Sequence, residues 1–226
     1  MINSMKYIRN WFIKTIYGNQ NSSRVVSRTV ARLLDELNED SVGLNVGSGP
    51  TDLDRRVKRM EIEHGDGIDY VGIAESIPEV DNTFDLVISQ EVLEHVKRPD
   101  IAMLEMKRVL KRHGKCYIQV PFIIGFHPCP ADYWRYTKEG ITALVENSGL
   151  EIIELGETVG SATGFYRIGV EFCSILFSIL VPRSYILAKA FFAVALYPIK
   201  WLDPLLRLSK EGERISGGYY VVCTKK

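Results

Sequence analysis

Residues 82–96 read NTFDLVISQEVLEHV. The run Phe84–Ser89 is almost continuously apolar, which suits a parallel strand covered on both faces better than a half-exposed strand that alternates. Upstream, Val42–Val46 reads as a short buried strand entering GLNVGSGPTD at 43–52. Val57–Glu63 is a second strand with Met60 and Ile62 on one face, and Ile68–Ile73 is a third. Downstream, Ile101, Met103, Leu104, Met106, Val109 and Leu110 give Pro99–Arg112 a helical stripe, with Gly114 in place to end it. Lys115–Phe122 is a fifth strand. A helix capped by Thr137 runs to Ser148 and is closed by Gly149. Leu150–Glu154 and Tyr219–Thr224 are strands six and seven.

Strands alternating with helices predict an α/β fold around a parallel sheet with right-handed crossovers. Two connections are short for parallel neighbours, 47–56 and His64–Gly67, so the early crossover helices are expected to be stunted or absent.

The 226 residues include 28 basic and 28 acidic side chains. With no basic excess to neutralise phosphates, nucleic-acid binding is not expected. The first 34 residues hold six basic residues and no acid. Within them, Tyr7, Ile8, Trp11, Phe12 and Ile16 share helical spacing, and a second helix is predicted over Ser23–Leu37. No apolar run with a small-residue cleavage site marks a secretory signal. Cys116, Cys129, Cys173 and Cys223 are far apart and lack metal-site spacing, so no metal is expected and the thiols read as reduced in a cytoplasmic protein.

Ligands of open α/β sheets bind at the carboxyl ends of the strands. Gly47-Ser48-Gly49, Glu61, Ile73-Ala74 and Ser89-Gln90 all end there. Glycines let the backbone approach a ligand and donate N–H groups, and a strand-end carboxylate can accept from a ribose diol. The dinucleotide pattern GxGxxG fails, because Asp52 stands at its third glycine.

The order LNVGSG, an acid at 61, AESIP at 74–78, NTFDLVISQEVLEHV, and EMKRVLKRHGKCYIQVP at 105–121 resembles the class I S-adenosylmethionine-dependent methyltransferases, in particular the type 11 methyltransferase-domain group. The resemblance covers about 41–155 and the last strand. It implies a Rossmann-like sheet of seven strands, mostly parallel, with the last antiparallel. It also implies S-adenosyl-L-methionine as cofactor. Asn45, Gly47, Ser48 and Gly49 are implied at the methionine and ribose end, Glu61 on the ribose hydroxyls, Ile73 and Ala74 beside adenine, and Ser89 and Gln90 at the methionyl group. Two departures stand out: Asn45 and Ile73 sit where the group commonly has Asp, which removes a charge and an adenine hydrogen bond.

Methyl transfer chiefly needs alignment and exclusion of water. A base for the acceptor is expected in the loop GFHPCPADYWRYT at 125–137, where a similar HP..DYxRYT element occurs in some members of the group. The candidates are His127, Asp132, Tyr133 and Arg135. His127 reads either as base or as a brace of the Pro-rich turn, and Asp132 with Arg135 as substrate-orienting or as a structural ion pair. His95 reads as a structural histidine.

The chain is expected to divide into N-terminal helices (1–38), a methyltransferase core (39–157 and 216–226) and a hydrophobic helical insert (158–215). Phe172–Pro182 carries no charge, and Tyr185–Trp201 carries only Lys189 and Lys200. Neither run reaches the roughly 20 apolar residues of a spanning helix. The insert therefore reads as a hairpin dipping into one leaflet, a cap or homodimer interface, or a two-pass hairpin. The leading expectation is methyl transfer to a small-molecule or lipid- or glycan-linked acceptor. Peripheral contact through 1–17 and 165–207 would place the protein on the inner face of the membrane. A catalytically silent cofactor fold that docks to a membrane or protein partner is the alternative.

Overall fold

The computed structural model describes residue 21 and residues 23–226; the basic helix expected within 1–17 lies outside the described residues. The described chain forms two compact units. One holds 27–121, 126–156 and 219–226; the other holds 122–125 and 157–218 together with the described residues up to Val26.

The first unit carries the sheet, ordered β3-β2-β1-β4-β5-β7-β6. Its strands are β1 (Gly43–Val46), β2 (Val57–Glu61), β3 (Tyr70–Val71), β4 (Phe84–Gln90), β5 (Leu110–Pro121), β6 (Glu151–Val159) and β7 (Gly218–Thr224). The β1–β2, β1–β4, β2–β3 and β4–β5 pairs are parallel. On the far side, His113 N–H donates to Lys225 O and Phe122 N–H to Gly217 O. Residue numbers that rise on one strand and fall on the other make β7 antiparallel to β5. No helix interrupts 47–56 or 62–69, as the short connections predicted.

Helices α1 (Arg24–Asp35), α2 (Pro99–Val109) and α3 (Lys138–Asn147) supply apolar stripes. Val30 and Leu33 of α1, Met103 and Met106 of α2, and Ile141 and Val145 of α3 are buried, as are Leu44, Phe84, Leu86, Val87 and Ile88 of the sheet. Ser23 Oγ accepts from Val26 N–H at the start of α1. The guanidinium of Arg56 donates to the carbonyls of Leu34 (3.1 Å), in the last turn of α1, and Leu37 (2.6 Å), just beyond it, while Asp54 holds it in place. Thr137 caps α3 by accepting from Gly140 N–H, and Gly149 follows that helix with φ +77°.

Several sequence expectations need correction. Helix α2 stops at Val109 rather than Arg112, because Leu110 already pairs with Phe84. The left-handed residue of the bulge that follows is His113 (φ +63°), so Gly114 is not a helix-ending glycine. Leu104 is half-exposed and not part of the core stripe. Strand β3 is only two residues long. Ile62 lies past the end of β2 and is 55% exposed, so it shares no buried face with Met60.

In the second unit, α4 (Ser161–Leu180) packs against α5 (Tyr185–Ala195) around Tyr166, Val170 and Ala193. Tyr166 Oη donates to Ala193 O at 2.9 Å. A 3-10 turn (Tyr197–Leu202) and the one-turn α6 (Asp203–Leu206) complete the hairpin, and Asp203 accepts from the backbone and hydroxyl of Thr163. Helix α4 begins well before the apolar run expected at Phe172 and reaches 20 residues. It is long and apolar enough to cross a membrane by length and composition.

Candidate active site

A cavity of about 520 Å³ opens at the carboxyl ends of β1, β2 and β4, within the size range of small-ligand pockets, roughly 300–1,000 Å³. β1 runs into Gly47, which takes φ +63°. The N–H groups of Gly47 and Ser48 both donate to Met60 O, at 3.0 and 3.2 Å. A Cβ on Gly47 would stand 2.6 Å from Val92 Cγ2, so only glycine lets the loop pass this close to the turn after β4. Gly49 is also left-handed, and its Cβ position faces open space. Its N–H donates to Glu61 Oε1, which Ser48 Oγ also approaches at 3.4 Å. Arg59 pins the loop by donating to Gly49 O at 2.7 Å.

Glu61 thus stands at the end of β2 on the cavity wall, one oxygen turned to the glycine loop. Ile62, Ile73, Ala74 and Val92 make an apolar wall beside it. A carboxylate next to an apolar slot is an arrangement that could hold a nucleoside, a diol at the acid and a base against the aliphatic side chains. Asn45 is buried in β1 and paired in register with Arg59 and Ile88; it is not on the cavity wall. Ser89 is fully buried with no hydrogen bond to its hydroxyl, and Gln90 donates to Gln119 at 3.3 Å. Their place on the wall is taken by Glu91 and Val92. Glu91 has φ +57°, a strained conformation for a glutamate, and it turns the chain from β4 into the 3-10 turn Leu93–His95.

The loop expected to carry the acceptor-side residues folds over that turn. Tyr133 N–H donates to Glu94 O at 2.7 Å, Trp134 Nε1 to Val96 O at 2.8 Å, and Tyr136 Oη to Leu93 O at 3.2 Å. Burial pushes the Tyr136 phenol well up from its usual range. Asp132 has a side chain only 1% exposed and is gripped by both ends of the Arg135 guanidinium, at 2.5 and 2.6 Å. It also accepts from His127 N–H at 2.9 Å. Arg135 holds the Asp132 carboxyl down at about 2. Arg135 also lies 3.3 Å from His127 Nδ1. The structure therefore joins His127, Asp132 and Arg135 in one cluster and leaves Tyr133 half-exposed on the cavity wall.

Two neighbours of this cluster were not legible as site residues. Glu94 is completely buried, and neither of its oxygens has a hydrogen-bond partner. His95, expected to be structural, lines the cavity, and its Nδ1 contacts Ala131 O. An acid following an apolar strand reads as solvated in the sequence; only the loop folded over it shows otherwise.

Residues 27–118 match the family model described as a methyltransferase domain. No match to a curated protein sequence is found. Among solved structures, the [4+2]-cyclase SpnF superposes with a TM-score of 0.56 at 17% identity, over 92% of this chain and 84% of that one. Phosphoethanolamine N-methyltransferase 2 of Haemonchus contortus, with phosphomonomethylethanolamine and S-adenosylhomocysteine, gives 0.55 at 16%, over 94% and 56%. The Burkholderia thailandensis 1,6-didemethyltoxoflavin-N1-methyltransferase, with its substrate and S-adenosylhomocysteine, gives 0.55 at 11%, over 91% and 80%. At these identities the likeness concerns the fold. It is a fold on which different reactions run, so the likeness by itself assigns no activity. The domain match supports S-adenosylmethionine-dependent methyl transfer, carried by the methyltransferase domain at residues 27–118.

Proposed function

We propose that the enzyme methylates a small-molecule or lipid- or glycan-linked acceptor while attached peripherally to a membrane through the insert at 158–215. The observation that carries this reading is the apolar surface of α4 and α5. Phe172, Ile179, Leu180, Ile186, Leu187 and Phe191 are each about two-thirds exposed or more. Trp201, 70% exposed, adds an aromatic anchor suited to an interface. An exposed apolar surface of this extent marks an interaction site.

The cofactor supplies a sulfonium methyl that is already a good electrophile. The work of the chain is then to bind, orient and keep water out. The Gly47–Gly49 backbone and Glu61 hold the polar parts of the cofactor, and the Ile62–Ala74–Val92 wall holds the base. Tyr133 and His95 line the cavity, which supports giving them the contact with the acceptor in this reading. His127, Asp132 and Arg135 stand behind them as positioning residues.

Two measurements test this reading. Glu61→Gln removes the charge that would accept from the ribose diol. A hydrogen bond to a charged group is worth about 1.5–3 kcal/mol, so S-adenosylhomocysteine should bind roughly ten- to 150-fold more weakly by calorimetry. Unchanged affinity would remove Glu61 from the site. Separately, the wild-type chain should co-sediment with vesicles, and the pair Ile186→Asp and Leu187→Asp should release it. A chain that ignores vesicles but sediments as a dimer, and becomes monomeric with the same pair, would assign the apolar face to a second copy.

A further inference from the structure

We propose that Glu94, His95 and His127 form a binding site for a divalent cation of the zinc class, opening on the acceptor side of the cavity. The three offer one carboxylate oxygen and two imidazole nitrogens, all within 4.8 Å of one another. Nε2 of His95 lies 3.6 Å and Nε2 of His127 3.9 Å from the same oxygen, Glu94 Oε1. These gaps are too long for hydrogen bonds. They are close to the roughly 3.4 Å that separates two ligands, each about 2.1 Å from a tetrahedral ion.

Charge points the same way. Glu94 is fully buried, and neither carboxylate oxygen has a hydrogen-bond partner. A buried carboxylate without hydrogen bonds is costly to keep charged, and a bound cation would offset that cost. Arg135 makes no hydrogen bond to Glu94; its guanidinium bonds Asp132 at both ends and also approaches His127.

The supporting contacts are also those of a ligand set. His95 Nδ1 contacts the carbonyl oxygen of Ala131, which can only accept, so Nδ1 carries the proton and Nε2 turns its lone pair towards Glu94. A metal ion between these two lone pairs would bind both and remove their repulsion. For His127, Arg135 donates to Nδ1 at 3.3 Å while Asp132 Oδ2 lies 3.6 Å from the same nitrogen, so ligation through Nε2 requires Asp132 to replace Arg135 as the partner of Nδ1. Three protein ligands leave a coordination position open, and His95 lies on the cavity wall. Resting on the methyl-transfer reading, an acceptor hydroxyl bound there would lose its proton to solvent more readily. Its oxygen would then take the methyl group as the sulfonium becomes a thioether.

The test is a titration of the chelator-treated, full-length protein with cobalt(II), followed by visible absorption. One equivalent should bind with ligand-field bands of nitrogen and oxygen ligation, and zinc should displace it. Glu94→Gln and His127→Asn should each weaken binding at least about tenfold, since even residues that only support ligands change metal affinity by this much. Circular dichroism checks folding. Should Glu94→Gln unfold, His127→Asn on the partly exposed loop decides. Absence of saturable binding, equal binding by wild type and a folded variant, or an intense near-ultraviolet thiolate band would each overturn the site. A parallel titration with S-adenosylhomocysteine separates the two readings: cofactor binding without cobalt binding overturns the metal site alone, and cobalt binding without cofactor binding upholds it.

Discussion

Replacing Gly47 by alanine should weaken S-adenosylhomocysteine binding by well over tenfold and lower the stability of the fold as well. Two penalties add. A left-handed conformation costs a residue with a Cβ about 1–2 kcal/mol, and Gly47 has φ +63°. The new methyl would stand 2.6 Å from Val92 Cγ2, and forcing a packed side chain aside costs about 1–3 kcal/mol. Val92 cannot move freely, because it follows the strained Glu91 and leads into the Leu93–His95 turn. The relief available is for the loop to lift, which would carry the Gly47 and Ser48 N–H groups off Met60 O and Gly49 N–H off Glu61. Urea unfolding reads the stability loss, and calorimetry reads the affinity. Gly47→Ala with wild-type values for both would mean that the loop does not hold the geometry described.

Arg135→Ala is the second substitution with a large expected effect. Asp132 is almost wholly shielded and would lose both of its strongest hydrogen bonds. Stranding a buried charge costs about 3–5 kcal/mol, and the partial exposure of Arg135 places this case near the lower end. The pH dependence identifies the cause. Asp132 titrates at about 2 in the folded protein, against about 3.9 for a free aspartate. A depressed carboxylate pKa stabilises the fold above the unfolded value, by about 2 kcal/mol here, and this contribution disappears as pH falls from about 4 towards 2. The gap between wild type and Arg135→Ala should therefore be widest above pH 5 and shrink to its non-ionic part near pH 2. A gap that stays constant with pH would show that Arg135 acts by packing alone.

The fold was largely legible because its signals are local. The apolar run FDLVIS requires cover on both faces. The stripes of α1 and α3 repeat at the helical period, Thr137 is a side chain that caps, and Gly149 is a residue that can turn left-handed. The errors fell where pairing overruled a local signal. Gly114 looked like a helix stop, yet the strand had begun four residues earlier, because Leu110 gains a partner in Phe84 and the bulge turns at His113. Ile62 looked like a core residue by alternation, but it lies beyond the strand's end and faces the cavity.

By itself, the sequence determined the kind of sheet and set the glycine bend at 47–49 and the acid at 61 at the carboxyl ends of its strands, since each follows from backbone freedom or strand period within a few residues. Only the tertiary structure decided that Glu91 and Val92, rather than Ser89 and Gln90, line the cavity, and that Glu94 is buried between two histidines. Those facts depend on which way the chain turns after β4 and on a loop some 35 residues away folding over it. Burial of a charge is set by what covers it, and no local pattern around Glu94 records that cover.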